Sequence, residues 1–467
     1  MQLYDTMTRT KAELHTLVPG RVSMYVCGPT VYDHPHLGHG RTALTYDVLR
    51  RYLRWTGHEV TMVANVTDID DKIIGRAERE GRTEAEVATE FLDSYVAQLD
   101  RLGVEHPDHR PQATQFIDGM IETIRELVDA GAAYVVEGRG VYFDVTSAVD
   151  YGRLAGRNLE QLLEDAGQRV EVDEAKRSPL DFALWKAAKP GEPSWETPWG
   201  PGRPGWHTEC VAMSMSILGE SFDIHGGGDD LTFPHHQNEQ AQASACGHGF
   251  ARFWVHSAML NVSGEKMSKS LGNFTTLAEA LEAFGPRAVR LAVLQTHYRS
   301  TMEMGPESLS QTAEAVKRLD AMVRRAVAAG VTLASANPTV AADDAQRLDV
   351  DTVERFRSAM EDDMSTPAAM DAVFGAVRAA NSALDEGRLD DAARLAGTVV
   401  LLCAVLGLAV GEDDHGDDDS KIDDLVARRQ QARADRDFAA ADAIRDELTS
   451  MGVVVEDTAS GPIWHRA

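Results

Sequence analysis

The sequence predicts an α/β protein: a doubly wound parallel sheet carrying an insertion, then a helical bundle and a small C-terminal module. Three observations predict it. Strand-like and helix-like patterns alternate early in the 467 residues and again after residue 206. The stretch between them breaks that rhythm with a hairpin signal and a loop rich in Pro, Gly and Trp. Beyond Pro306 the periodicity is helical.

Residues 22–26 are a short β-prone run, followed by the loop Cys27-Gly28-Pro29-Thr30. A helix is expected over residues 41–55, because Leu44, Val48, Leu49, Tyr52 and Leu53 fall on one face, and Gly57 suits its end. Residues 59–66 alternate as a second strand. Strand, helix, strand at this spacing is a βαβ unit of a parallel, Rossmann-like sheet. Helices are expected from there to about residue 103, which makes residues 1–110 the first half of the sheet domain. In the insertion, 111–205, residues 134–136 and 141–143 flank Gly138-Arg139-Gly140 as a hairpin. Residues 190–204 are expected to be loop. The second half, 206–305, has strands near 222–225 and 253–255. The bundle spans 306–410 and includes a buried helix near 399–410. An acidic linker, 411–420, repels itself and cannot form a core. The module 421–467 carries a helix whose packing face is Phe438, Ala441, Ile444 and Leu448.

With 43% hydrophobic and 26% charged residues, the chain has the composition of a globular protein. Its net charge of −28 excludes a generally basic nucleic-acid binder and leaves room only for a local basic groove. No apolar run reaches membrane-spanning length, and the N-terminus lacks a secretory layout, so a cytoplasmic location is expected. Four cysteines are too few for a disulfide framework. Cys246 and Cys403 are expected in the core.

Two segments suit phosphate chemistry. Pro35-His36-Leu37-Gly38-His39-Gly40-Arg41 lies between a strand and a helix. Glycine there permits close approach, the helix N-terminus attracts anions, and imidazoles add donors. By itself it is equally an ordinary loop. Gly264-Glu265-Lys266-Met267-Ser268-Lys269-Ser270 is either a solvated basic turn or a lid bringing ammonium groups to a polyphosphate. Together, and in this order, they resemble the HIGH and KMSKS motifs of class I aminoacyl-tRNA synthetases. The resemblance implies attack of an amino-acid carboxylate on the α-phosphate of ATP, loss of pyrophosphate, and transfer of the aminoacyl group to a tRNA terminal hydroxyl. It implies His36, His39, Lys266 and Lys269 as catalytic groups, with positioning and charge neutralisation carrying the rate. ATP, entering with Mg2+, would meet His36, Gly38, His39 and Lys269, with Asp230 at its ribose.

Cys27, Cys210, His235 and Glu239 supply two thiolates, an imidazole and a carboxylate, a reasonable zinc set. Their spacing carries no signal of its own, although a helix opened by Pro234 would put His235 and Glu239 on one face. Cys-Gly-Pro-Thr-Val-Tyr-Asp from Cys27, Gly-Trp-His-Thr-Glu-Cys ending at Cys210, and Phe-Pro-His-His-Gln-Asn-Glu ending at Glu239 resemble the cysteinyl-tRNA synthetases. That family implies one Zn2+ per chain on those four residues, with Gly28, Thr67, Trp206 and His225 lining the substrate pocket. Zinc suits the task. Apolar pockets separate near-isosteres such as cysteine and serine by only about 1–3 kcal/mol, whereas a metal favours the substrate thiolate strongly. One departure is Gln237, where the family pattern has Glu.

Arg428, Arg429, Arg433 and Arg436, followed by Trp464, resemble the family's anticodon-recognition tail; single-stranded bases suit stacking and edge hydrogen bonds. The implied partners are tRNA(Cys), ATP and L-cysteine, with no membrane, and the family suggests a monomer. The rival readings are a cysteine ligase of mycothiol biosynthesis acting on an amino-sugar, and a non-catalytic zinc- and nucleotide-binding regulator.

Overall fold

The computed structural model describes residues 1–167, 176–261, 276–333, 347–411, 417–434, 437–458 and 461–466. It divides into two units, Met1–Val410 and Gly411–Ala467. No helix among the described residues is long and apolar enough to cross a membrane.

Unit 1 opens with strands β1 (Gln2–Asp5) and β2 (Thr10–Glu13), an antiparallel pair. Then come β3 (Arg21–Val26), α1 (Leu37–Trp55) and β4 (Glu59–Ala64), the βαβ unit, with β3 and β4 parallel. Helices α2 (Asp71–Glu80) and α3 (Glu84–Arg101) follow. The insertion holds α4 (Ile117–Asp129), β5 (Ala133–Val136), β6 (Gly140–Phe143), α5 (Leu159–Gly167), β7 (Phe182–Ala187) and β8 (Gly202–Pro204). Its strands form an antiparallel sheet in the order β5-β6-β7-β8. The second half returns with α6 (Trp206–Leu218), β9 (Ser221–Gly228), α7 (Gln237–Ala245), β10 (Phe250–Ser257) and the short β11 (Leu260–Asn261).

The parallel sheet runs β10-β9-β3-β4. The chain leaves β3 toward β4 and leaves β9 toward β10, so strand order reverses between β3 and β9. In open α/β sheets such a switch point opens a crevice beyond the carboxyl ends of the strands. Cys27 directly follows β3, and Gly228 ends β9.

Helices α8 (Leu277–Phe284) and α9 (Pro286–Leu294), strand β12 (Met302–Glu303) and α10 (Pro306–Ala328) lead into α11 (Val350–Glu361), α12 (Thr366–Asp385) and α13 (Leu389–Val405). One core joins a face of the parallel sheet, through Met24 and Ile224, and Tyr52 of α1 to the bundle, through Leu319, Phe356 and Leu402. A second core joins the opposite face to the insertion through Tyr25, Phe143, Trp185 and Trp254. Unit 2 packs α14 (Asp417–Ala434), α15 (Phe438–Ser450) and the hairpin β13 (Val453–Thr458), β14 (Gly461–Arg466) on Ile422, Leu425, Val426, Leu448 and Val453.

Several local expectations are corrected. Helix α1 begins at Leu37, not near Arg41, because His36 caps it: the His36 ring accepts the Gly38 N–H, and the His39 ring accepts the His36 N–H. Residues 202–204 are strand, held by pairing with β7, which no local pattern announces. Phe438 is 64% exposed, since it stands at the first residue of α15 while Ala441 and Leu448 face the core. Cys403 is buried as expected, but Cys246 is only half-buried because it caps the end of α7. Helix α14 starts at Asp417, inside the acidic stretch.

Candidate active site and metal-ligand cluster

A cleft of about 730 Å3 opens over the carboxyl ends of the sheet. Cys27, Gly28, His36, Gly38, His39, Trp206 and Asp230 all line it. The Gly28 N–H donates to Asn65 Oδ1 at 2.9 Å, which stitches the ends of β3 and β4 together. A Cβ at Gly28 would lie 1.7 Å from the Asn65 carbonyl oxygen, so the loop admits no side chain there.

The rings of His36 and His39 stack with centroids 3.8 Å apart at the start of α1. Each uses Nδ1 as an acceptor for a backbone N–H. The ring proton is thereby left on Nε2, and each ring keeps a donor for a ligand. Burial, reinforced by His36, pushes the His39 pKa down to about 3. His39 is therefore neutral at pH 7, a hydrogen-bond donor and not a cation. Asp230 is exposed in the short turn after β9. Arg41, which ends the first motif, donates to the carbonyls of Met259 at 2.7 Å and Tyr298 at 3.3 Å. It ties α1 to the segment that precedes the lysine loop. Lys266 and Lys269 lie outside the described residues.

Beneath the cleft, Cys27, Cys210, His235 and Glu239 converge. The Cys27 and Cys210 sulfurs are 3.5 Å apart. His235 Nε2 lies 3.7 Å from Cys27 Sγ and 3.6 Å from Cys210 Sγ. Glu239 Oε1 lies 3.6 Å from Cys27 Sγ and 3.1 Å from His235 Nε2. Zinc bonds of about 2.0–2.3 Å in a tetrahedron put neighbouring donor atoms roughly 3.3–3.8 Å apart. Four of these five separations fall in that range and the fifth, 3.1 Å, lies just below it, so the four side chains fit a zinc-sized tetrahedron. All four are buried. Burial raises the Cys27 and Cys210 pKa values and lowers that of His235. Protein alone holds these as thiols and a neutral imidazole, and a divalent cation would draw off the thiol protons.

A second grouping, Cys27, His225, His236 and Glu239, shares two members. It fits less well. His225 Nε2 is 2.8 Å from Glu239 Oε2, a hydrogen-bond distance, and His236 Nδ1 is 2.7 Å from His256 Nε2. His225 thus orients the outer oxygen of Glu239, the usual arrangement behind a metal-bound carboxylate. On the other side, His207 Nδ1 is 3.0 Å from His235 Nδ1, and Trp206 stacks on His235 with centroids 4.0 Å apart. Thr67 donates to Glu209 at 2.7 Å, and burial pushes the Glu209 pKa up.

The residues predicted for catalysis, the substrate pocket and the metal, other than the lysines, are therefore gathered around one cleft and its floor. The tertiary structure adds Arg41, Asn65, His207, Glu209, His236 and His256. Arg41, His207, Glu209 and His236 lie within the motifs named above and Asn65 lies two residues before Thr67, whereas His256 carries no signal in the sequence. Gln237 is buried and accepts the Leu154 N–H at 3.0 Å, so it serves the insertion and leaves the ligand set alone. In unit 2, Arg428 and Arg433 are exposed, Arg429 is buried, Trp464 packs against the core, and Arg436 lies outside the described residues.

Comparison with known proteins places this arrangement. Residues 13–314 match the family described as tRNA synthetases class I (C) catalytic domain, residues 355–410 the DALR domain, and residues 415–464 the cysteinyl-tRNA ligase anticodon binding domain. Among curated proteins, a cysteine–tRNA ligase of Symbiobacterium thermophilum is 45% identical over 472 residues, covering 100% of both chains. One from Alkalilimnicola ehrlichii is 46% identical over 476 residues, again covering 100% of both. Among solved structures, Mycobacterium tuberculosis methionyl-tRNA synthetase in complex with methionyl-adenylate shares the fold. Its TM-score is 0.61 at 16% identity, over 83% of this chain and 89% of that one.

Proposed function

The chain belongs to the cysteine–tRNA ligase family, and from that premise we propose how its own residues carry the reaction. As a member it activates cysteine with ATP and passes the cysteinyl group to tRNA. The proposed metal is one Zn2+ per chain on Cys27, Cys210, His235 and Glu239, and the tetrahedral outline of those four side chains is the observation that carries the reading. Bound zinc would supply a soft acceptor for the substrate's sulfur, which the hydroxyl of serine matches poorly.

The remaining work falls to the chain. His235 is fixed by Trp206 and His207, and Glu239 by His225, so the ligand geometry is set before substrate arrives. Gly28, Thr67 and Trp206 shape the pocket around the amino acid. The substrate carboxylate then faces the α-phosphate of Mg-ATP. The Nε2–H groups of His36 and His39 donate to phosphate oxygens at the positive end of α1, and Asp230 accepts from the ribose. Lys266 and Lys269 neutralise the charge that builds on the departing pyrophosphate. A terminal hydroxyl of tRNA(Cys) next attacks the cysteinyl carbonyl and AMP leaves. Unit 2, through Arg428, Arg433 and Trp464, would read the anticodon. The match of residues 415–464 to an anticodon-binding domain favours tRNA over an amino-sugar as acceptor. We take the working form to be a cytoplasmic monomer.

Cysteine-dependent ATP–pyrophosphate exchange, followed by charging of tRNA(Cys), tests the whole reading. Cys210→Ser should lower zinc content, raise KM for cysteine and narrow the preference for cysteine over serine. Unchanged zinc content and unchanged cysteine affinity would overturn the ligand assignment.

A further inference from the structure

The insertion's α4 meets the turn that joins α7 to β10. There, donor atoms of Glu126, Cys246 and His248 lie within 4.8 Å of one another. Glu126 is on α4, and Cys246 and His248 lie on the turn. The turn is held firmly. Cys246 N–H donates to Gln242 O at 3.2 Å, Gly247 N–H to Ser244 O at 3.0 Å and His248 N–H to Ala243 O at 3.0 Å. Gly247 takes the left-handed φ of +79° that lets the chain reverse there and bring residues 246 and 248 to one side.

His248 is the telling member. Its side chain is 16% exposed, and its two nitrogens meet different carboxylates. Nδ1 lies 3.4 Å from Glu220 Oε2, just ahead of β9. Nε2 lies 3.6 Å from Glu126 Oε2 and is buried with no hydrogen-bond partner. A carboxylate beside Nδ1 favours the proton on that nitrogen and leaves the Nε2 lone pair facing Glu126, as behind a metal-bound histidine. The 3.6 Å separation is long for a hydrogen bond yet matches the edge of a zinc tetrahedron, roughly 3.3–3.8 Å.

We propose that Glu126, Cys246 and His248 form a second divalent-cation site of zinc type, with three protein ligands, one position left to solvent and Glu220 orienting His248. It is separate from the cluster under the cleft. Glu239 and Cys246 stand at opposite ends of α7, about 10 Å apart at 1.5 Å per residue. Glu220 and His248 precede β9 and β10, at the amino ends of the strands, opposite the cleft. A cation there would clamp the insertion's α4 to the second half of the sheet domain. Soft sulfur with imidazole and carboxylate favours Zn2+ or Cd2+ over Mg2+ or Ca2+.

The test titrates the full chain with Zn2+ by equilibrium dialysis and with Cd2+ by thiolate charge-transfer absorbance. The wild type should bind two cations per chain. Cys246→Ser and His248→Ala should each bind one while keeping cysteine-dependent pyrophosphate exchange, which doubles as a check that they fold. Glu126 is 48% exposed, so Glu126→Gln perturbs no core and should also lose the second cation or bind it at least tenfold more weakly. Glu220→Gln should weaken it about tenfold, as loss of an orienting carboxylate does elsewhere. One cation per chain in the wild type that is lost in Cys210→Ser and kept in Cys246→Ser, or two that persist in Cys246→Ser, would overturn the proposal. Cys210→Ser reports on the first site independently, so failure of one site is distinguishable from failure of the other.

Discussion

At the scale of single residues, the site depends on contacts too close to tolerate change. Gly28→Ala would drive a Cβ to within 1.7 Å of a backbone oxygen at the junction of β3 and β4. Neither backbone can yield without moving Cys27. The expected outcome is a folded protein with exchange activity down at least ~100-fold, since small misplacements of reacting groups cost that much. Circular dichroism and pyrophosphate exchange check it together. His256 makes a different prediction. It is 5% exposed, between Thr6 and His236, and burial, reinforced by His225, lowers its pKa to about 3. Unfolded histidine titrates near 6.5. Between those values the unfolded chain holds a proton that the native chain does not. Stability is therefore full above about pH 6.5 and falls as pH drops toward 3, by up to ~1.4 kcal/mol per pH unit from this group. Urea denaturation at pH 7 and pH 5 should show a smaller difference in His256→Gln than in the wild type.

At the scale of elements, the sheet's central strands approach α1 without room to spare. Tyr46 on α1 donates to the carbonyl of Gly227 or Val255, at 2.8 and 2.7 Å, and accepts the Gly227 N–H. A Cβ at Gly226 would lie 2.3 Å from the Tyr46 ring. Gly226→Ala is expected to destabilise by about 1–3 kcal/mol, the usual cost of overpacking, read as a shift in the urea midpoint. Tyr46→Phe leaves the buried Gly227 N–H unsatisfied and should cost a similar ~1–3 kcal/mol. How far the sequence showed these elements depended on their kind. Helix α1 and strands β3 and β4 were plain because apolar residues recur at helical and strand periods. The start of α1 is not legible in the sequence, because histidine is an unusual cap and the cap bond exists only when His36 folds back on Gly38. Strand β8 is not legible in the sequence, because its residues, Gly202, Arg203 and Pro204, become a strand only through pairing with β7.

At the scale of the molecule, unit 1 is tied together by a buried ion pair that spans distant segments. Arg290 on α9 meets Asp47 on α1 at 2.7 Å and donates to the carbonyls of Gly103 at 2.6 Å and Leu406 at 3.0 Å. Sheet domain and bundle thus share one guanidinium. Arg290→Met would strand the buried Asp47 charge, partly offset by Arg51 at 2.9 Å, and should cost about 3–5 kcal/mol in chemical denaturation. Unit 2 has its own core. Removal of residues 411–467 should leave cysteine-dependent exchange close to normal and reduce tRNA charging several-fold or more. A matched loss of both activities would place unit 2 in the activation step instead.

The sequence by itself determined the class of fold, because hydrophobic period distinguishes helix from strand locally. It also carried the adenylating chemistry, because the two phosphate-handling motifs are contiguous runs of residues. The four cluster ligands are scattered from Cys27 to Glu239, and no local pattern relates them. Only the switch point between β3 and β9, with α6 and α7 beside it, makes them corners of one tetrahedron. The same holds for the histidines behind them and for Glu126, Cys246 and His248. Coordination is a distance between side chains brought together from separate elements, and that distance exists only in the folded chain.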